Sequence, residues 1–117
     1  MTESAIVAEV LIAVSRLPRS LFHRQNSGRL ADARGRWVTF GLEGSGDIMG
    51  AYCGWPVAIE CKTRSGRLRE SQKRFRAAWE AAGGIYLVCR SADDALRGLA
   101  ALDTTAGDSD PKRTAAG

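Results

Sequence analysis

The chain is poor in metal-binding soft ligands. Its 117 residues hold three cysteines, Cys53, Cys61 and Cys89, with no C-x-x-C pair, and a single histidine, His23. That excludes a disulfide framework and a Cys/His zinc site, and it predicts reduced thiols in a reducing, cytoplasmic compartment. Long apolar runs are missing too: the stretch Ala5 to Val14 is broken by Glu9 and preceded by Glu3 where a signal peptide would carry lysine or arginine. Neither a signal peptide nor a membrane span is expected. The run Gly44-Ser45-Gly46 lacks both the third glycine of a dinucleotide fingerprint and the Gly-Lys-Ser/Thr of a phosphate loop, so no nucleotide cofactor is expected. Acidic charge is in deficit, thirteen against seventeen basic residues for a net +4, and fourteen of the basic residues are arginine. Arginine suits bidentate phosphate contacts, which points toward a polyanionic partner. What remains, 44% hydrophobic and 26% charged residues, is ordinary for one soluble domain and sets aside disordered, collagen-like and coiled-coil architectures.

The order of elements predicts an α/β sandwich. Ser4 to Leu17 reads as a helix stopped by Pro18, with Ile6, Val7, Val10, Leu11, Val14 and Leu17 on its buried face. Arg19 to Arg36 is polar and reads as mostly loop or meander, with Asn26, Ser27 and Gly28 as turn formers and room for short strands on either side. Trp37 to Gly41 is short and β-prone, and a strand can resume at Asp47 after the glycines of GLEGSGDIMG. Pro56 to Lys62 suits a central strand, Leu68 to Ala82 a helix closed by Gly83-Gly84, and Ile85 to Cys89 a second buried strand, together the length of a parallel crossover. Ser91 caps a final helix to about Leu102, and residues 103–117 are expected to form a flexible tail beyond a domain of residues 1–102.

Four signals carry chemistry. Strand alternation puts Glu60 and Lys62 on one face with Cys61 opposite, either a solvated ion pair or a carboxylate and an ammonium aimed into a site. Asp47 lies among glycines that let the backbone bend, either as a plain turn aspartate or as a second carboxylate beside Glu60; two carboxylates meeting at one point call for a cation, and oxygens with open water positions suit Mg²⁺. Glu9 is the one charge in the apolar stretch of the first helix, and it lies either on an exposed edge or against a partner such as a metal site. Gln72 falls on the stripe Leu68, Gln72, Phe75, Trp79 and so faces the sheet. Seven basic residues against one acid between Lys62 and Arg76 make phosphate-backbone contact the expected role of Arg64, Arg67, Arg69, Lys73 and Arg76.

Asp47, Glu60-x-Lys62, Gln72 at the start of a basic helix and Gly83-Gly84 before IYLVC together resemble the VRR-NUC domain, the virus-type replication-repair nuclease of the PD-(D/E)-x-K superfamily, in its small stand-alone form. The resemblance runs from Glu9 to about Arg90. It implies a restriction-endonuclease-like core, a central mixed β-sheet flanked by helices. It also implies Mg²⁺ with Mn²⁺ as a substitute, metal held by Asp47, Glu60 and the Cys61 carbonyl, Lys62 as the motif lysine, Glu9 as the acid on the first helix acting directly or through water, and Gln72 as the active-site glutamine. Gly46 stands where the family usually has proline, and is expected to tolerate the same bend. The implied activity is structure-selective cleavage of branched DNA, such as four-way junctions, by a homodimer. A non-catalytic DNA-binding module of the same fold and a sequence-specific restriction-type endonuclease are the alternatives.

Overall fold

Local chemistry sets most of the element boundaries in the computed structural model, which describes residues 1–25, 28–40 and 44–106. Thr2 opens the first helix, α1 (Glu3–Ser15), by accepting the Ala5 N–H at its Oγ1, 3.1 Å away. The helix ends two residues before the expected Leu17. Beyond it, the Ser20 hydroxyl donates to the carbonyls of Leu17 at 2.6 Å and Val14 at 3.0 Å, turning the chain into strand β1 (Ser20–Arg24).

The stretch expected as loop is more ordered than its polarity suggests. Besides β1 it contributes β2 (Gly28–Ala31), which pairs antiparallel with β3 (Trp37–Phe40) in a separate two-stranded sheet. Asp32 builds the connection: its Oδ1 accepts the N–H groups of Arg34 at 2.8 Å and Arg36 at 2.9 Å, and Gly35 takes a positive φ of 79°. Asn26 and Ser27 lie outside the described residues.

The main sheet has four strands in the order β1, β4 (Ile48–Tyr52), β5 (Trp55–Cys61), β6 (Ile85–Cys89). Its first three strands are antiparallel. Between β4 and β5 the chain reverses over Cys53-Gly54, both at positive φ, the backbone that suits a tight hairpin. β5 then pairs parallel with β6 through helix α2 (Glu70–Ala81), so the sheet is mixed and the expected crossover is present.

One face of this sheet is the core. Val57, Ile59 and Cys61 of β5, with Phe22, Ile48, Tyr52 and Cys89, pack beneath Ile6, Val7, Val10 and Val14 of α1 and Ala95 and Leu99 of helix α3 (Ala92–Ala106). Burying each large aliphatic side chain is worth about 1.5–3 kcal/mol, which fixes the strand register because a one-residue slip would turn this row outward. The alternate residues Ala58, Glu60 and Lys62 point to the opposite side, where the Phe75 ring of α2 meets both Tyr86 and Trp79 and the Trp79 indole N–H donates to the Ile85 carbonyl at 3.0 Å. The last helix runs to Ala106, so the stretch expected as tail from 103 begins as helix, and residues 107–117 lie outside the described residues. No helix among the described residues is long and apolar enough to cross a membrane.

Candidate metal and phosphate site

Asp47 sits just before β4 and is held by both neighbouring strands. Its N–H donates to the Ile59 carbonyl at 2.9 Å and its carbonyl accepts the Gln25 N–H at 2.7 Å. The side chain is fixed as well, because Oδ2 accepts the Cys61 N–H at 2.7 Å. A short carboxylate is thereby pinned at the end of β5, where Glu60 emerges. Gly46 makes this approach possible with a φ of 115°, and a Cβ there would come 3.3 Å from the Ile59 carbonyl oxygen. Proline, fixed near −65°, cannot adopt that conformation, so the expectation that glycine follows the proline bend is corrected: the chain enters Asp47 by another path.

Glu60 and Lys62 share a face, as alternation requires, and both are buried, with 3% and 5% of their surface exposed. Lys62 Nζ lies 3.9 Å from Glu60 Oε2. Even so, the Glu60 carboxyl is pushed up to about 8, first by burial, then by the charge of Asp47 and a hydrogen bond with it, against the pull of the Lys62 ammonium. Burial likewise pushes the Cys61 thiol upward, so it stays neutral in the core.

The third acid is Glu3, not Glu9. Carboxylate oxygens of Glu3, Asp47 and Glu60 all lie within 4.8 Å of one another. Glu9 is exposed and takes no part in that cluster. Helix geometry gives the reason. Glu3 continues the stripe of Ile6, Val7, Val10 and Val14 by one turn, whereas Glu9 is rotated about a third of a turn off it. The signal was present in the sequence as the spacing 3, 6, 7, 10, 14; it was masked because an acid at the head of an apolar stripe also reads as a helix-start residue.

Gln72 lies where its stripe predicts, 2% exposed. Its Oε1 accepts the Arg69 N–H at 2.8 Å, so the amide oxygen caps the start of its own helix while the side chain lines a cleft. That cleft, of about 240 Å³, is walled by Arg24, Gln25, Gly44, Ser45, Gly46, Asp47, Glu60, Arg69 and Gln72. Arg24, Gln25 and Ser45 were not anticipated, since their segments carry no periodic pattern.

The five cations expected to contact phosphate divide into two groups. Arg69 lines the cleft, and Arg64 and Arg67 are exposed on the segment between Lys62 and α2. Lys73 and Arg76 are engaged along their own helix instead, with Glu70 at 3.4 Å and Glu80 at 3.4 Å, and Arg76 also lies 5.5 Å above the Tyr86 ring. Spacing of three and four residues places an acid within reach of each. The segment bearing Arg64 is fastened from outside by Arg90, whose Nη1 donates to the carbonyls of Thr63, of Arg64 at 3.3 Å and of Gly66 at 2.9 Å.

As a donor set, the cluster suits a hard divalent cation. Three carboxyl groups face one ammonium, and the Glu60 carboxyl is raised first by burial and then by the charge of Asp47, both of which a bound cation would offset. The Cys61 backbone meets the cluster through its N–H, which is committed to Asp47. In comparison with known proteins, no family model matches the chain and no curated protein matches it, so the case for a function rests on this geometry and on the motif spacing.

Proposed function

We propose that the protein is a Mg²⁺-dependent endonuclease that hydrolyses DNA phosphodiester bonds, with a restriction-endonuclease-like core of the VRR-NUC kind that its motifs resemble. The observation that carries this reading is the meeting of Glu3, Asp47 and Glu60 within 4.8 Å, with the buried Lys62 ammonium beside Glu60 and with Asp47 and Glu60 lining a cleft that Arg24 and Arg69 also wall. The core assignment is supported by the Asp47 and Glu60-x-Lys62 elements falling on an antiparallel hairpin that leads into a parallel crossover.

Bound by Asp47 and Glu60 with Glu3 beside them, Mg²⁺ would supply charge neutralisation at a phosphate oxygen and a water of lowered pKa. The side chains do the rest. Asp47, locked by the Cys61 N–H, presents its carboxylate without reorganising. Lys62 Nζ donates a hydrogen bond to the attacking water, or to the oxygen on which charge develops, from a site shielded from solvent. Arg24 and Arg69 grip the backbone phosphate on the cleft wall, which Gln72 also lines while its Oε1 accepts the Arg69 N–H. The arginines neutralise phosphate but carry no pattern that reads bases, which favours substrate selection by shape. A four-way junction needs two symmetry-related incisions, hence a homodimer with one cleft per subunit.

Incubating the protein in Mg²⁺ with a four-way junction, a flap and a linear duplex tests the proposal. Cleavage of the junction is expected to dominate; equal cutting of all three removes the branched-DNA claim, defined fragments from long duplex favour a restriction-type enzyme, and no cutting favours a binding module. Lys62→Ala is expected to lower the cleavage rate by at least about a hundredfold while leaving DNA affinity within severalfold, and undiminished cutting would defeat the assignment.

A further inference from the structure

Beside the acids, the cleft wall holds a hydroxyl that the chemistry above does not use. Ser45 is 2% exposed, and its Oγ is buried without a hydrogen-bond partner among the described residues, although the residue forms part of the cleft wall. A buried hydroxyl left without a partner is costly, so its position calls for a ligand or an explanation in the fold. The fold holds it there firmly. Gly44 and Gly46 on either side both have positive φ, and a Cβ on Gly44 would come 2.4 Å from the Ser71 carbonyl oxygen, so the loop is pressed against the first turn of α2. Arg69 and Arg24 stand on the same wall.

We propose that Ser45, Arg69 and Arg24 form a subsite for one phosphate of a nucleic-acid strand, next to the acids and separate from the metal ligands, with the Ser45 hydroxyl donating to a non-bridging oxygen. This rests on the nuclease reading for its substrate class, but the subsite is defined by its own groups. Two guanidinium groups and a neutral donor favour an anion, whereas Asp47 and Glu60 on the same cleft wall, with Glu3 close to them, favour a cation. A phosphate held by the first set fixes the register of the strand, and the acids act on the neighbouring bond.

The test uses thymidine 3′,5′-bisphosphate, which carries two phosphates and no internucleoside bond to cut. It is titrated into the full chain in Mg²⁺ and followed by amide chemical shifts, with thymidine as the phosphate-free control. Wild type is expected to bind the bisphosphate but not thymidine, with shifts at residues 44–47 and 69–72. Ser45→Ala is expected to weaken that binding about tenfold, the scale of one hydrogen bond to a charged group, while Mg²⁺ affinity is unchanged and the melting temperature is no lower. Unchanged bisphosphate affinity in Ser45→Ala, absence of bisphosphate binding by wild type, or a parallel loss of Mg²⁺ affinity would each overturn the subsite. Failure of the nuclease reading is distinct: it would show as bisphosphate binding without cleavage of any DNA.

Discussion

Glu60 gives the most direct handle on the site, because folding has to hold its carboxyl where ionisation is unfavourable. The group moves from an ordinary 4.5 to about 8 in the folded chain. Between those values the folded form keeps a proton that the unfolded chain releases, so stability falls as pH rises through this window and levels off above it. The shift amounts to about 3 kcal/mol lost between pH 4.5 and pH 7. Glu60→Gln removes the titration. The pull of Lys62 is already counted in the net upward shift, so losing it does not reverse the sign. In metal-free buffer at pH 8 the variant is therefore expected to melt about 10 °C above wild type, a gap that closes at pH 5. Mg²⁺ is expected to raise the wild-type melting temperature at pH 8 and to leave the variant nearly unmoved, since a cation bound to the folded form stabilises by mass action. Thermal melts across pH 5 to 8, with and without Mg²⁺, make the comparison. A wild-type minus variant difference that is constant over this range, or a variant that melts lower at pH 8, refutes the reasoning.

Three further outcomes are expected. Glu3→Ala should weaken Mg²⁺ binding by calorimetry on the order of tenfold, while Glu9→Ala, on the exposed side of the helix, should leave it within about twofold. Gly44→Ala should cost about 2 kcal/mol in urea unfolding, because the new Cβ meets the Ser71 carbonyl and the residue needs a positive φ. Ile59→Ala, at a fully buried core position, should cost about 3 kcal/mol in the same measurement, while the backbone carbonyl that accepts the Asp47 N–H is retained.

The crossover from β5 through α2 to β6 was legible in the sequence because each part carries its own period and stop: an apolar β-branched run, a stripe at three-and-four spacing, paired glycines. Glu60, Lys62 and Gln72 were legible from the strand and helix periods that carry them, and Asp47 from the glycines around it. The segment from Arg19 to Arg36 was not, because its order depends on a turn closed by Asp32 and on pairing with strands distant in sequence. Glu3 was missed through competition between two local signals, a helix start and the end of a buried stripe, which only the position of the sheet end decides. Ser45 and Arg24 carry no local signal at all; they reach the cleft because positive-φ glycines and the β1–β4 pairing bring them there.

Arg90 follows β6, the last strand of the sheet in chain order, and it ties down a segment that precedes α2. An Arg64-bearing arm held by carbonyl contacts from a residue 26 positions later acquires its shape only after the crossover has closed. A chain reaching no further than α2 therefore owns every acid of the cluster yet lacks the latch on its Arg64-bearing arm, so that arm is fastened only once the final strand has delivered Arg90.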